Sequence, residues 1–472
     1  MSRAKVLAVV MLVTSSACAA GVAAGAGTAV SGSWVGTYTL GGSADVVVDV
    51  HGGRATVALG VGHAGVQTVP ATTGGELRFT LPGRPVPLRF RAQLQAGSLV
   101  GTVSQGAAHG SFRARRGRST DLIARGLYAA GGETIAVVDD PYGPARLVDL
   151  DSGEVHALFA ERLAFRIGSG FASRDPPGGV ARFDAARARL GAASLARVRM
   201  RELEVRFPSS GAMLSGTLTV PAGVGPHPAV AWVHGSGPTT RAYLPDLQAL
   251  LLRHGVAVLA YDKRGIGQSG GRYPGESPTA ATIDVLARDA AAAARFLARQ
   301  PEIDDERIGL AGHSQAGWIM PLAATREPTV RFMLGFAGPA VTADENDLYQ
   351  TLAGEGETPQ TLTDEEIDAR VVAQGRSGVD PIPWIRRLTV PAAWYYGELD
   401  KHIPTRLSVR RLDPIARESG RNFTVVVLPR ANHALVETQT GLTSEMLRSS
   451  AFARGLFGLV GDWLKQHDLA GT

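Results

Sequence analysis

From residue 30 to 116, apolar and polar residues alternate. Val86, Leu88, Phe90, Ala92 and Leu94 are apolar at every second position, with Pro87, Arg89, Arg91 and Gln93 between them. Leu77, Phe79 and Leu81 repeat the pattern, as do Val57, Leu59 and Val61. A period of two puts one face of a strand in a core and the other in water. Glycine pairs at 41–42, 52–53 and 74–75 separate the runs. The pattern predicts a small antiparallel barrel or sandwich over 30–116. Residues 119–200 read as a second, β-rich connecting segment. Within it, 135–138 and 147–150 are strand-like, Asp151-Ser152-Gly153 is turn-like, and 184–197 (DAARARLGAASLAR) is helix-like.

The rhythm changes at residue 201. Residues 202–207 and 214–220 read as strands around Ser209-Ser210-Gly211. Residues 229–233 (AVAWV) and 256–261 (VAVLAY) are continuous apolar runs, as parallel strands covered on both faces should be. Between 279 and 299, Ile283, Leu286, Ala290, Ala294 and Leu297 recur at spacings of three and four, the mark of an amphipathic helix. Residues 307–311, 332–336, 392–396 and 424–428 complete the strands. Alternating strands and helices over 201–472 predict a doubly wound, mostly parallel sheet, with its site at the carboxyl ends of the strands.

Composition refines this picture. The 472 residues allow about three domains. Cys18 is the one cysteine, which excludes an intrachain disulfide and a cysteine zinc site. The formal charge is +5, and only Lys5, Lys263, Lys401 and Lys465 of the 48 basic residues are lysine. The arginines are spread along the chain, so no nucleic-acid partner is expected. Arg113, Arg115, Arg116 and Arg118 crowd the end of the first β-region and read as a solvated linker. Residues 1–26 read as a signal peptide, with Arg3 and Lys5 ahead of a short apolar run and two A-x-A cleavage patterns. A secreted or otherwise extracytoplasmic protein is expected, without stable membrane insertion after cleavage. A lipoprotein through Cys18 and an uncleaved anchor are the alternatives.

The candidate chemistry lies in the second half. Residues 308–317 (IGLAGHSQAG) run from a strand through Gly312-His313-Ser314-Gln315-Ala316 into a helix, the setting of a nucleophile elbow. A serine hydroxyl needs a base, and the base needs an orienting acid, in the chain order Ser, acid, His on this fold. Asp400 follows the strand ending at Tyr396, and His433 follows the strand ending at Leu428. Glu398 competes for the acid role; His402 and His467 compete for the base. Oxyanion donors are expected at the backbone amides of Gln315 and, in the loop His234-Gly235-Ser236-Gly237-Pro238, of Ser236. No metal and no cofactor is called for. Residues 342–377 read as a short cap. Its stretch 342–369 holds nine carboxylates (Asp344, Glu345, Asp347, Glu355, Glu357, Asp364, Glu365, Glu366, Asp368), no Lys or Arg, and few large apolar groups. Short acyl groups and tolerance of a cationic group are therefore expected. No chemical cluster occurs before residue 200, so a chain beginning there is expected to keep activity.

These segments together, HGSGP (234–238), YDKRGIGQSGG (261–271), GHSQAGW (312–318), YYGELDKHIP (395–404) and NHALVE (432–437), resemble the α/β-hydrolase superfamily, in particular its bacterial dienelactone-hydrolase and acylaminoacyl-peptidase-like branch. Residues 30–116 are similar to the N-terminal β-domains of some secreted members. The resemblance implies a serine hydrolase using Ser314, Asp400 and His433 without metal, acting on a small-molecule ester or peptide-like substrate. It also implies a mainly structural loop at Asp262, Arg264 and Gly265. Ala316 departs from the usual glycine. A serine esterase of small acyl esters leads. An exopeptidase or thioesterase on the same triad is the alternative, and a non-catalytic binding protein on this fold comes last.

Overall fold

The computed structural model describes residues 30–471, except 41–42, 52, 60–66, 74–75, 82–86, 117–124, 140–144, 162–163, 172–178, 184–185 and 419. The leader with Cys18 and Arg118 lie outside the described residues. Three bodies follow one another: two closed barrels of eight strands, then an eight-stranded sheet.

The first barrel runs from the strand Gly32–Thr39 to the strand Ala108–Arg116, which pair antiparallel and close it. Its interior is the apolar half of the alternation. In the strand Glu76–Leu81, Leu77, Phe79 and Leu81 are buried while Arg78 and Thr80 face water. Phe90 sits at the centre, stacked on Phe79 at 4.7 Å and edge-on to Phe112 at 5.5 Å. Arg113, Arg115 and Arg116 belong to the closing strand and not to a linker. They are its solvent-facing positions, with Phe112 and Ala114 pointing inward.

Residues 126–197 close into the second barrel. The helix expected over 184–197 is absent: Arg187–Leu190 and Ala193–Arg197 form a hairpin instead. Arg-Ala-Arg-Leu fits a period of two as well as a helical stripe. The hairpin prevails because Ala188 pairs with Leu195 inside the barrel and Ala196 pairs with Ala129. The first pairing is local to the hairpin; the second, to a strand at the start of the barrel, is tertiary.

The sheet of the third body is built from β1 (Arg201–Ser209), β2 (Ala212–Val220), β3 (His227–Val233), β4 (Ala257–Tyr261), β5 (Ile303–His313), β6 (Phe332–Phe336), β7 (Ala392–Gly397) and β8 (Phe423–Leu428). Its order is β1-β2-β4-β3-β5-β6-β7-β8, with β2 antiparallel to its neighbours and β3 to β8 parallel. Every residue of β3, β4 and β7 is buried because apolar layers cover both faces. Along β3, Ala229, Ala231 and Val233 join one layer, and Val230 and Trp232 join the other. Helices α1 (Pro245–Arg253), α2 (Ala280–Leu297) and α3 (Ala316–Arg326) cross between strands. The cap contributes α4 (Ala343–Leu352) and α5 (Asp364–Gln374), each opened by a capping box, Thr342 with Glu345 and Thr363 with Glu366. Helices α6 (Thr405–Ala416) and α7 (Leu456–Gln466) complete the body.

The second barrel is docked on this body. Leu127, Ala136, Val138, Val148, Leu150, Val155 and Phe171 share one apolar cluster with Leu247, Leu250 and Leu251 of α1 and with Phe452. Arg146 forms a two-pronged, buried ion pair with Asp246 at the start of α1. Backbone bonds add to this: Val155 N–H donates to Ser450, Phe171 N–H to Ser449, and Phe452 N–H to Gly153.

Candidate active site

The site begins at the turn from β5 to α3. Ser314 holds a left-handed backbone (φ 57°), which presents its side chain beyond the end of the sheet. Its own N–H is fixed to the Phe336 carbonyl at 3.0 Å. The turn requires glycine at 312: a Cβ there would meet the Val233 carbonyl oxygen at 2.5 Å and the Cβ of Ala316 at 2.7 Å. The alanine is thus accommodated by the glycine opposite it.

Asp400, after β7, is 1% exposed. Its Oδ1 accepts the N–H groups of His402 (2.7 Å) and Ile403 (2.8 Å), and its Oδ2 lies 2.9 Å from His433 Nδ1. Nδ1–H therefore donates to the carboxylate, which leaves His433 Nε2 as the basic nitrogen. Burial pushes the Asp400 carboxyl up to about 6 and the His433 imidazolium down to about 3. Both shifts have one cause, the loss of water around a charge, so the pair titrates as a unit. Asn432 Oδ1 accepts the N–H groups of Ala434 and Val436 and shapes the histidine loop.

Of the competing candidates, Glu398 and His467 are engaged with other partners. Glu398 accepts the Arg430 N–H, and His467 stacks on Trp463. His402 lies beside His433, with ring centres 4.7 Å apart.

Ser314, Gln315 and Ser236 line one open cleft of about 1320 Å³. Neither the Gln315 nor the Ser236 amide N–H has an acceptor among the described residues. Two unsatisfied amides beside a serine are what a developing oxyanion requires. Among the described residues no cluster of His, Cys, Asp and Glu is arranged to hold a metal ion.

A family model described as serine aminopeptidase, S33, matches residues 225–363. The esterase EstD of Thermotoga maritima is 26% identical over 251 residues, 47% of this chain and 58% of that protein. A polyketide transferase of Aspergillus fumigatus is 32% identical over 126 residues, 26% of this chain and 41% of that protein. The chain thus spans less than two thirds of the curated relatives it matches. Among solved structures, an esterase of Pyrococcus furiosus is 18% identical with a TM-score of 0.42, covering 57% of this chain and 91% of that one. A dienelactone hydrolase of Anabaena variabilis is 17% identical with a TM-score of 0.36, covering 57% and 98%. The third body has the fold of the α/β-hydrolases, and the match over residues 225–363 supports a place in that superfamily.

Several residues of this α/β-hydrolase site went unread in the sequence. His313 is buried, and its Nε2–H donates to the His433 carbonyl at 2.8 Å while Nδ1 accepts the Tyr243 hydroxyl at 2.8 Å. It ties the His433 loop to the residue before Ser314. Tyr349 of α4 donates to the Asp400 carbonyl at 2.6 Å. Lys263 donates to two carbonyls of the 234–238 loop. The signal for His313 was its place inside GHSQAG; Tyr243 and Tyr349 carried none.

The acidic cap also differs from its sequence reading. Glu345 is buried and paired with Arg411, while Asp364, Glu365 and Asp368 pair with Arg406, and Asp368 also with Arg410. All three arginines stand on α6, outside the stretch that lacked basic residues. Of the nine acids, Asp344 and Asp347 line the cleft. Glu276, Asp284 and Asp380 join them from elsewhere, against Arg326 as the one base of the lining. The apolar wall comes from Trp318, Leu322 and Trp384 and not from the cap stretch. In the family loop, Arg264 pairs with Asp289 in the interior, and Asp262 with Arg241.

Proposed function

We propose that this α/β-hydrolase is a serine esterase acting on small acyl esters. The observation that carries the reading is the left-handed Ser314 lining a cleft, together with His433, which is tied through Nδ1 to a buried aspartate and packs at 4.5 Å on the ring of His313, the residue before the serine. Ser314 Oγ attacks the acyl carbonyl and passes its proton to His433 Nε2. Asp400 stabilises the imidazolium, and the amides of Gln315 and Ser236 stabilise the oxyanion. The imidazolium returns the proton to the leaving alcohol, which departs as the acyl group stays on Oγ. Water, deprotonated by His433, then releases the carboxylic acid and restores the serine. The test is turnover of p-nitrophenyl acetate and butyrate. Ser314→Ala and His433→Ala should each lower kcat by about three powers of ten or more with folding unchanged. Near-normal turnover in Ser314→Ala rejects the reading.

A second reading draws on the charge of the cleft. Asp284 is matched by Arg288 and Arg326, and Asp380 by Arg376. Asp344, Asp347 and Glu276 leave the lining net negative. A substrate carrying a free amine next to the scissile bond suits that wall, as an exopeptidase substrate would. Aminoacyl-p-nitroanilides beside matched esters separate the two readings, and a succinyl ester should be the poorest ester at low salt.

A further inference from the structure

We propose that Lys263 is a positioning residue for the oxyanion step: its ammonium grips the 234–238 loop from behind and so aims the Ser236 amide N–H into the cleft. The inference deepens the ester-hydrolysis reading and rests on it.

The geometry is direct. Lys263 is 2% exposed, and no carboxylate pairs with it among the described residues. Its Nζ donates to the Gly235 carbonyl at 2.5 Å and to the Gly237 carbonyl at 2.9 Å. These two carbonyls bracket Ser236. In a trans peptide the carbonyl and the following N–H point in opposite directions. Drawing the Gly235 oxygen toward Lys263 therefore turns the Ser236 N–H the other way. Ser236 lines the cleft with Ser314, and its N–H has no acceptor among the described residues. The second bond, to Gly237, holds the loop on the other side of Ser236 to the same ammonium. The Lys263 backbone N–H also donates to Thr239, which fixes the lysine to the far end of the same loop. On the cleft side, a Cβ on Gly235 would stand 2.4 Å from the Tyr243 hydroxyl and 3.3 Å from Ser314 Cβ. The loop is thus held between a cation and a tyrosine.

A buried ammonium is a costly way to tie a loop unless charge serves a purpose. Here it strengthens both bonds. The groups around Nζ are few. Tyr273 places its ring 5.9 Å away, Glu276 favours the charged form, and Asp262 spends its oxygens on Arg241 and the Gln268 N–H. His234 is itself kept neutral by burial and by this lysine. Burial pulls the Lys263 pKa down to about 7, so the grip weakens as pH rises above that value.

The test compares the full chain with Lys263→Met and Lys263→Gln on p-nitrophenyl acetate. Lys263→Met should lower kcat about 100-fold with KM changed less than about twofold, and Lys263→Gln, which keeps donors, should fall between. Inhibition by an alkyl trifluoromethyl ketone, which forms a hemiketal oxyanion on serine, should weaken in step with kcat/KM. Wild-type kcat should drop about tenfold from pH 7 to 9, and Lys263→Met should lose that limb. A folded Lys263→Met enzyme with unchanged kcat, a change confined to KM, or undiminished ketone binding overturns the proposal. If neither variant folds, a wild-type kcat that stays level from pH 7 to 9 overturns it, and the drop supports it. Absence of wild-type turnover, or its survival in Ser314→Ala, instead rejects the esterase reading itself.

Discussion

The two barrels have the same strand count and different surroundings. The first gathers its core from residues 30–114 alone among the described residues. Its strand Glu76–Leu81 alternates buried and exposed positions. The second has a small interior core around Tyr128, Ile135 and Leu147, and its outward apolar residues belong to the core of the third body. Its strand Glu133–Val138 is buried at every position after the first. Clean alternation thus marks a barrel whose outer wall meets water. An unbroken apolar run such as Ile135-Ala136-Val137-Val138 marks one whose outer wall meets protein. The difference also revises the expectation about a chain that begins near residue 200. The segment Ser449–Phe452, bonded to the second barrel, lies close in sequence to His433, and Val436 bridges to Phe452.

The strongest way to break the comparison is to cut at two places. A chain beginning at residue 125 should keep kcat within about twofold, because the first barrel shares no core with the site. A chain beginning at residue 200 should be insoluble or inactive, since it uncovers Leu247, Leu251 and Phe452. Equal activity from both would mean that docking is incidental. Next in size, Asp246→Ala removes the buried carboxylate that Arg146 grips with two bonds and should cost about 3–5 kcal/mol of stability, read as a lower Tm of the docked body. Trp34→Ala should cost about 3–5 kcal/mol as well, but only in the first barrel, where Trp34 is fully buried. Calorimetry should show one transition move while kcat stays constant; a fall in kcat would reveal coupling between the bodies.

The pH profile sharpens the contrast further. The Asp400–His433 pair takes its first proton near pH 6, so kcat/KM should fall as pH drops through that value, about tenfold per unit. The acid limb should be identical in the full chain and in the chain beginning at 125. The smallest effect belongs to the exposed Glu76–Arg78 pair on the first barrel. Arg78→Ala should shift stability by less than about 1 kcal/mol in urea unfolding.

What the sequence revealed followed from local chemistry. The apolar runs of β3, β4 and β7 and the Gly312-Ser314-Ala316 turn are each specified within ten residues. What it concealed depended on partners distant in the chain. Ala196 became a strand residue because Ala129, on the strand that closes the barrel, completes the pairing. The acidic cap was neutralised by arginines on α6, more than 35 residues downstream of Asp368. Lys263 lay inside the YDKRGIGQSGG segment with no role of its own; its meaning lies in two carbonyls more than 20 residues upstream.

The cap is pinned where lids usually swing. Tyr349 donates to the Asp400 carbonyl and Gln350 to the His402 carbonyl, so α4 is fastened to the very loop that carries the acid. Swinging it open would break bonds that hold Asp400 in register. On the proposed ester hydrolysis, a cap held this way offers no gate for an oil–water boundary to unlock. The rate on tributyrin should follow one hyperbola straight through the solubility limit, with no jump when droplets form.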